Sequence, residues 1–416
     1  MTSGDSPPSH DTAGKAASRR RNLALFVLGL VALPSCQAML LVYGIRIREY
    51  FAINAEQFGT LFGSRGLGRI PALLTIGPLL ARLGVRRVTE LATVGAGIAF
   101  LVLGVGGTLP AFRVSMPAIG FFLGLSGIAI PAFLISLFPD RKRRIFSLML
   151  VASAAPSILT PLLANELLKW SDGRGDAAFA TIFQTPFAIC GGALLLGGLL
   201  LSLAKLKESR AELEKPHRIR ISQLLHLRSL AIVLMLSLHA AADTTLYTFL
   251  PMFMASQFAR LPLPPATAVA GHGLAYVVTR TLLSFWPEGK WHRGILCLAG
   301  PLGGTTVILT LWFGPAVSVP ILYTLASMMF AAEYPVLVSE VSSESMAEFG
   351  SIVAGGMLVS ELIGFALLKG TGRLADLTGD FRLALSVAAC GFLAFGLIAA
   401  LTGLGKRTRR GQSSSS

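Results

Sequence analysis

Apolar residues come along this chain in long blocks, not in the one-sided stripes of helices that face water. Blocks of about 20 apolar residues recur from one end to the other, the length a helix needs to cross a bilayer core. Short alternating segments, the mark of a membrane barrel, are absent. The blocks predict twelve spans, at about 23–44, 56–80, 89–109, 114–138, 145–168 and 179–204, then 228–252, 266–286, 294–314, 316–339, 349–370 and 382–404. Backbone groups in lipid must be satisfied within each span, so the expected fold class is all-α and polytopic, with twelve transmembrane helices.

Composition agrees. The 416 residues are 53% hydrophobic and only 14% charged, where soluble proteins carry nearer a quarter. The first run continues past Cys36 through Leu41 and Val42, too long for a cleaved leader, and reads as a span. The four cysteines all lie inside apolar blocks and read as small buried hydrophobes.

The net charge of +15 would point to nucleic acid in a soluble protein. Here its placement reads as topology, and no nucleic-acid partner is expected. With the N-terminus inside, 24 of the 36 Lys and Arg fall in segments on that side. Both termini are therefore expected in the cytoplasm. Glu340, Glu344 and Glu348 make one inside loop acidic against this trend. The layout divides into an N-tail (1–22), a six-helix bundle (23–204), a charged connector (205–227), a second six-helix bundle (228–404) and a C-tail (405–416).

The turn between spans 2 and 3 carries Gly77-Pro78-Leu79-Leu80-Ala81-Arg82-Leu83-Gly84-Val85-Arg86-Arg87. This resembles the signature of the major facilitator superfamily, Gly-x-Leu-Ala-Asp-Arg-x-Gly-Arg-Arg. Gly77, Leu79, Arg82, Gly84 and Arg86 match; Ala81 replaces the family's acidic residue, which latches the two halves on the cytoplasmic side. With the basic loop Arg141–Arg144 and the mid-chain connector, the resemblance covers residues 20–405. It implies a twelve-span transporter of bacterial type in the inner membrane, two pseudo-symmetric bundles around a central cavity, and alternating access without a cofactor. Span 5 lacks the glycines of the family's exporters, so the direction of transport is open.

Charges inside spans are costly and should face the cavity or each other. Arg65 and Arg69 share one helix face at i, i+4. An anion between them would relieve their repulsion, either a solute or a carboxylate. Since the resemblance brings span 2 against span 11, Glu361 is the natural protein partner. Asp243 in span 7, one turn after His239, is the expected proton carrier, with Glu361 beside it in that role. His239 and Tyr247 join Arg65 and Arg69 as candidate solute contacts. Arg280 and Glu333 lie at one depth and are expected to pair as a structural or gating element, alongside Gly77, Arg82, Gly84 and Arg86.

The functional expectation is a secondary transporter, not an enzyme, of a small organic solute that can be anionic. Its partners are the solute, the lipid bilayer and a proton or other coupling ion, and the chain is expected to act as a monomer. The alternative is a non-transporting member of the fold, serving as a membrane sensor or assembly partner.

Overall fold

The computed structural model describes residues 36–137, 151, 154–171, 176–203, 226–258, 262–285, 291–341 and 346–404, all of them helix or short turn. The tails, the basic loop Arg141–Arg144, most of the connector and the middle of the acidic loop lie outside the described residues. The helices are α1 (Gly44–Tyr50, continuing a helical run from 36), α2 (Ala55–Gly106), α3 (Leu109–Leu137), α4 (Pro156–Ser171), α5 (Asp176–Leu203), α6 (Leu227–Gln257), α7 (Ala266–Phe285), α8 (His292–Phe313), α9 (Ser318–Phe330), α10 (Glu333–Val341), α11 (Met346–Thr378) and α12 (Phe381–Thr402). Each of the twelve expected spans has at least a part on described helix; residues 23–35 of the first and 145–150 of the fifth lie outside the described residues.

At about 1.5 Å per residue, the 52 residues of α2 would overshoot a bilayer more than twofold. The helix is in fact two spans joined at Gly84, whose φ of 80° and ψ of 162° break it inside the signature turn. Only glycine takes that conformation without strain. Arg86, two residues on, fastens the turn. Its Nε donates to Glu90 at 2.8 Å and its Nη2 to the Ser202 and Leu201 carbonyls at 2.6 and 3.3 Å. The guanidinium thus bonds carbonyls in the last described turn of α5, where a cation is favoured. Span 10 is also broken: α9 ends at Phe330 and α10 starts at Glu333, with Ala331 and Ala332 in a turn between them.

Without a hydrophobic drive between helices in lipid, small residues decide which backbones meet. Gly68 of α2 lies against the Pro117 carbonyl and Gly120 of α3 against the Arg65 carbonyl, so the first span of α2 and α3 touch backbone to backbone. Gly97 and Gly191 do the same between the second span of α2 and α5. After the connector, Gly304 of α8 faces the Ala389 carbonyl of α12, a Cβ there falling 2.9 Å away. The outward faces carry exposed Leu159, Leu163, Ile189, Leu302 and Leu309. Such a belt suits lipid and would be anomalous in water.

The helices before and after the connector meet along α2 with α11, and α4 with α7. The first contact is tight at one end only. Gly59 packs on the Leu368 carbonyl, Gly63 on Phe365, and Gly372 on the Ala55 carbonyl. There the start of α2 is capped twice. Asn54 and Gln57 form a capping box, and the Asp376 carboxylate of α11 accepts from the Ala55 and Glu56 amides at 2.9 and 2.8 Å. Lys369 lies 3.8 Å from Glu56 beside it. Toward the other end the close glycine contacts between α2 and α11 give way to open space between Leu73 of α2 and Val353 and Met357 of α11, which is the end referred to below as parted.

Losing the carboxylate cap should cost about 1 kcal/mol locally. Asp376→Ala is therefore expected to speed hydrogen exchange at the first turn of α2 roughly fivefold. Exchange in the second span of α2 should stay the same.

Candidate functional site

Beyond the tight end lies a chamber of about 410 Å³. The first span of α2 contributes Phe62, Arg65 and Arg69; α6 contributes Thr244, Tyr247 and Thr248; α7 contributes His272 and Tyr276; α11 contributes Ser360, Glu361 and Phe365. A second space of about 290 Å³ continues toward the parted end, between Leu73, Gly127, Leu236, Tyr334, Val353 and Met357. Both spaces are walled by Arg69, Ala240, Ser360 and Glu361.

Arg69 and Glu361 pair at 3.0 Å through Nη1 and Oε1, while the Arg69 Nε is buried without a partner. Gly66 makes this possible, since a Cβ there would stand 2.6 Å from Glu361 Oε2. Arg65 is different. Its Nε donates to the Phe62 carbonyl at 3.3 Å, one turn back, and its guanidinium stands 5.2 Å from the Phe62 ring centre. Among the described residues no carboxylate lies within ion-pair distance of it. Two cations share one helix face, and only one has an internal counter-ion.

Across the chamber, Tyr276 donates its hydroxyl to Asp243 Oδ2 at 2.8 Å, and His272 Nε2 stands 3.7 Å from the same oxygen. Asp243 Oδ1 is buried and unpartnered. The His272 ring lies among those of Tyr247, Tyr276 and Tyr323, with centroids 4.5, 4.4 and 5.8 Å away. Its Nδ1 is 3.3 Å from Ser327 Oγ. Sequence adjacency marks His239 as the neighbour of Asp243. The neighbours found are His272 and Tyr276, which the i, i+4 spacing on α7 places on one face.

His239 does not line the chamber. Ala240, Thr244, Tyr247 and Thr248 form the lining face of α6, and His239 sits about 100° around the helix from Ala240. Its Nδ1 meets Glu333 Oε2 at 2.7 Å, with both side chains almost wholly buried. Phe392 and Phe395 pack on the imidazole, with centroids 5.7 and 6.1 Å away. This corrects a second expectation, the pairing of Arg280 with Glu333. Glu333 starts α10 after the break, turns toward α6 and α8, and is taken by His239. Arg280 leans back one turn along α7, as helical side chains do, and lies 4.6 Å from the centre of the Tyr276 ring. Of the signature residues, Gly84 makes the turn and Arg86 binds α5. Arg82 is exposed, with no ion pair among the described residues, and Gly77 makes no close approach.

Two groups of helices, closed on each other at one end, parted at the other and enclosing a charged chamber, define a membrane carrier. A sequence profile described as Major Facilitator Superfamily matches residues 25–354. The chain belongs to that superfamily of transporters. No curated protein matches the sequence. Solved structures share the fold at low identity. A bacterial homologue of the human lysosomal transporter Spinster, inward-facing and occupied, has 12% identity and a TM-score of 0.71 over 92% of this chain and 96% of that one. A D-xylose–proton symporter has 15% identity and 0.67 over 90% and 96%. The E. coli fucose:proton symporter FucP has 16% identity and 0.63 over 91% and 97%.

Removing one partner of a buried pair strands the other charge, at a cost of roughly 3–5 kcal/mol. His239→Ala should accordingly lower the thermal unfolding midpoint of the detergent-purified protein sharply. Replacing both partners together, as His239→Phe with Glu333→Leu, should recover much of the loss.

Proposed function

We propose that this protein is a proton-coupled secondary transporter of small organic anions. The observation that carries the reading is Arg65, a guanidinium lining the chamber between the two helix groups with no carboxylate within ion-pair distance among the described residues. Such a cation is expensive in an apolar interior unless an anion joins it. Of the charges that line the chamber, Arg65 and Arg69 are positive and Glu361 negative, which leaves one positive charge and favours a monoanion. Arg65 supplies a planar fork of donors suited to a carboxylate. Tyr247 and Thr248, from the opposite wall, can hydrogen-bond the rest of the solute. One solute thus touches both groups of helices, and its binding favours their closing around it.

Asp243 carries the proton in this reading. Its Oδ1 lacks a partner while Tyr276 and His272 approach Oδ2, so a proton would complete the site instead of disrupting it. The halves 23–204 and 228–404 rock about the chamber, and the arrangement seen is the inward-open one, with its tight end toward the outside. The higher TM-score of the inward-facing Spinster homologue, against FucP in its outward conformation at 0.63, supports this. The symporter neighbours support coupling to protons only by analogy of fold.

Reconstituted protein should exchange an anionic solute in counterflow and accumulate it under a pH gradient. Asp243→Asn should abolish pH-driven accumulation and leave exchange. Arg65→Ala should weaken acidic solutes roughly 10- to 100-fold, the worth of a charged hydrogen bond, and neutral analogues little. Accumulation unchanged in Asp243→Asn would remove the proton role. An absence of counterflow across a broad panel of organic acids would favour the sensor reading.

A further inference from the structure

One wall of the chamber is a column of rings. The Arg280 guanidinium stands 4.6 Å from the centre of the Tyr276 ring. Tyr276 lies 4.4 Å from His272 and His272 lies 4.5 Å from Tyr247, each pair tilted by 36°. Tyr247 ends the column: among the described residues, His272 is its one ring neighbour. Phe365 of α11 also lines the chamber, and it meets no other ring among the described residues. Beside it the wall is recessed at Gly364, where a Cβ would meet nothing within 4 Å.

The lining as a whole has the same bias. Phe62, Tyr247, His272, Tyr276 and Phe365 present rings, against two aliphatic side chains larger than alanine, Leu41 and Leu368. The hydroxyl donors, by contrast, are largely spent. Thr248 donates to the Thr244 carbonyl at 2.7 Å, Ser360 to the Met357 carbonyl at 2.7 Å and Tyr276 to Asp243. A polyhydroxylated solute needs donors and acceptors around its whole rim, and a buried hydroxyl left unpaired is costly. A flat apolar ring makes no such demand.

We infer that the solute is an aromatic monocarboxylate such as benzoate. This rests on the anion-transport reading and names the class of anion. Arg65 takes the carboxylate through its fork of donors. Tyr247 lies within electrostatic reach of Arg65, so one small solute can touch both. Its ring stacks on Tyr247, extending the column by one member, with Phe365 and the recess at Gly364 beside it. Paired rings gain attraction beyond the area they bury, because the edge of one meets the face of another with opposite partial charge. A saturated ring of the same size buries the same area and gains none of that.

Calorimetric titration of the detergent-purified protein near neutral pH tests this with benzoate, cyclohexanecarboxylate, benzamide and glucuronate. Benzoate should bind about fivefold more tightly than cyclohexanecarboxylate, the worth of one aromatic pair. It should bind at least about tenfold more tightly than benzamide, which keeps the ring and loses the charge. Glucuronate should be weaker than either acid. In Tyr247→Leu the advantage of benzoate over cyclohexanecarboxylate should fall below about twofold, while Tyr247→Phe keeps it. Cyclohexanecarboxylate binding near the parent affinity checks that Tyr247→Leu has folded, and Phe365→Leu should reduce the advantage in the same direction. Equal affinity of the two acids in the parent protein would overturn the ring and leave the anion reading standing. Tightest binding by glucuronate would do the same in favour of a sugar acid. Benzamide as tight as benzoate would overturn the anion reading itself. An advantage undiminished in both leucine variants, or no binding by either acid, would also overturn the inference.

Discussion

The approach of α2 to α11 over Gly59, Gly63 and Gly372 is the constraint on which the remaining geometry depends. Side chains at these positions would hold the helices apart, and dispersion between backbones would be lost where lipid supplies no hydrophobic drive. The contact also brings the Asp376 carboxylate to the amides that begin α2. A helix start exposes unpaired donors, and here a residue from the other helix group satisfies them. Closure at this end thus combines shape with a directional polar contact. It also sets the register that places Glu361 beside Arg69, about one turn along α11 from the Phe365–Gly63 contact toward the parted end.

The interior charges are sorted by what surrounds them. His239 and Glu333 form a dry pair among Phe392, Phe395 and Gly300, with no face on the chamber. His272 and Tyr276 line it and hold Asp243 behind them, with one oxygen of that carboxylate unpartnered. Arg69 and Glu361 stand in its wall, and Arg65 inside it lacks a counter-ion. The first set resembles a structural plug. Glu333 Oε1 is unpartnered too, but away from the chamber, whereas Arg69 and Arg65 meet the chamber itself and Asp243 meets its wall.

Much of this was legible from sequence. Block length marked the spans, because bilayer thickness is a constraint that needs no partner. Gly84 and Arg86 could be placed in a turn from a short signature, and the i, i+4 spacing put Arg65 and Arg69 on one face. The pairing of Arg69 with Glu361 followed once span 2 was set against span 11. What failed was the assignment of partners across helices. Depth alone matched Arg280 with Glu333, but rotation about each helix axis decides such pairs, and the α9–α10 break turned Glu333 elsewhere. His239 was misplaced for the same reason, by one residue's rotation from the lining face. The Asp376 cap left only a faint trace, an acid near the end of span 11 and an Asn-x-x-Gln box at the start of span 2.

Arg86 has a consequence for how force travels. The carbonyls it holds, Leu201 and Ser202, belong to the last residues of α5 before the segment that leads to α6. Tension arriving along that segment does not meet a frayed helix end. It is delivered through one guanidinium to the Gly84 turn, and so to both spans of α2. Spans 2, 3 and 6 are thereby knotted together on the side facing the tether, and can be turned as one lever.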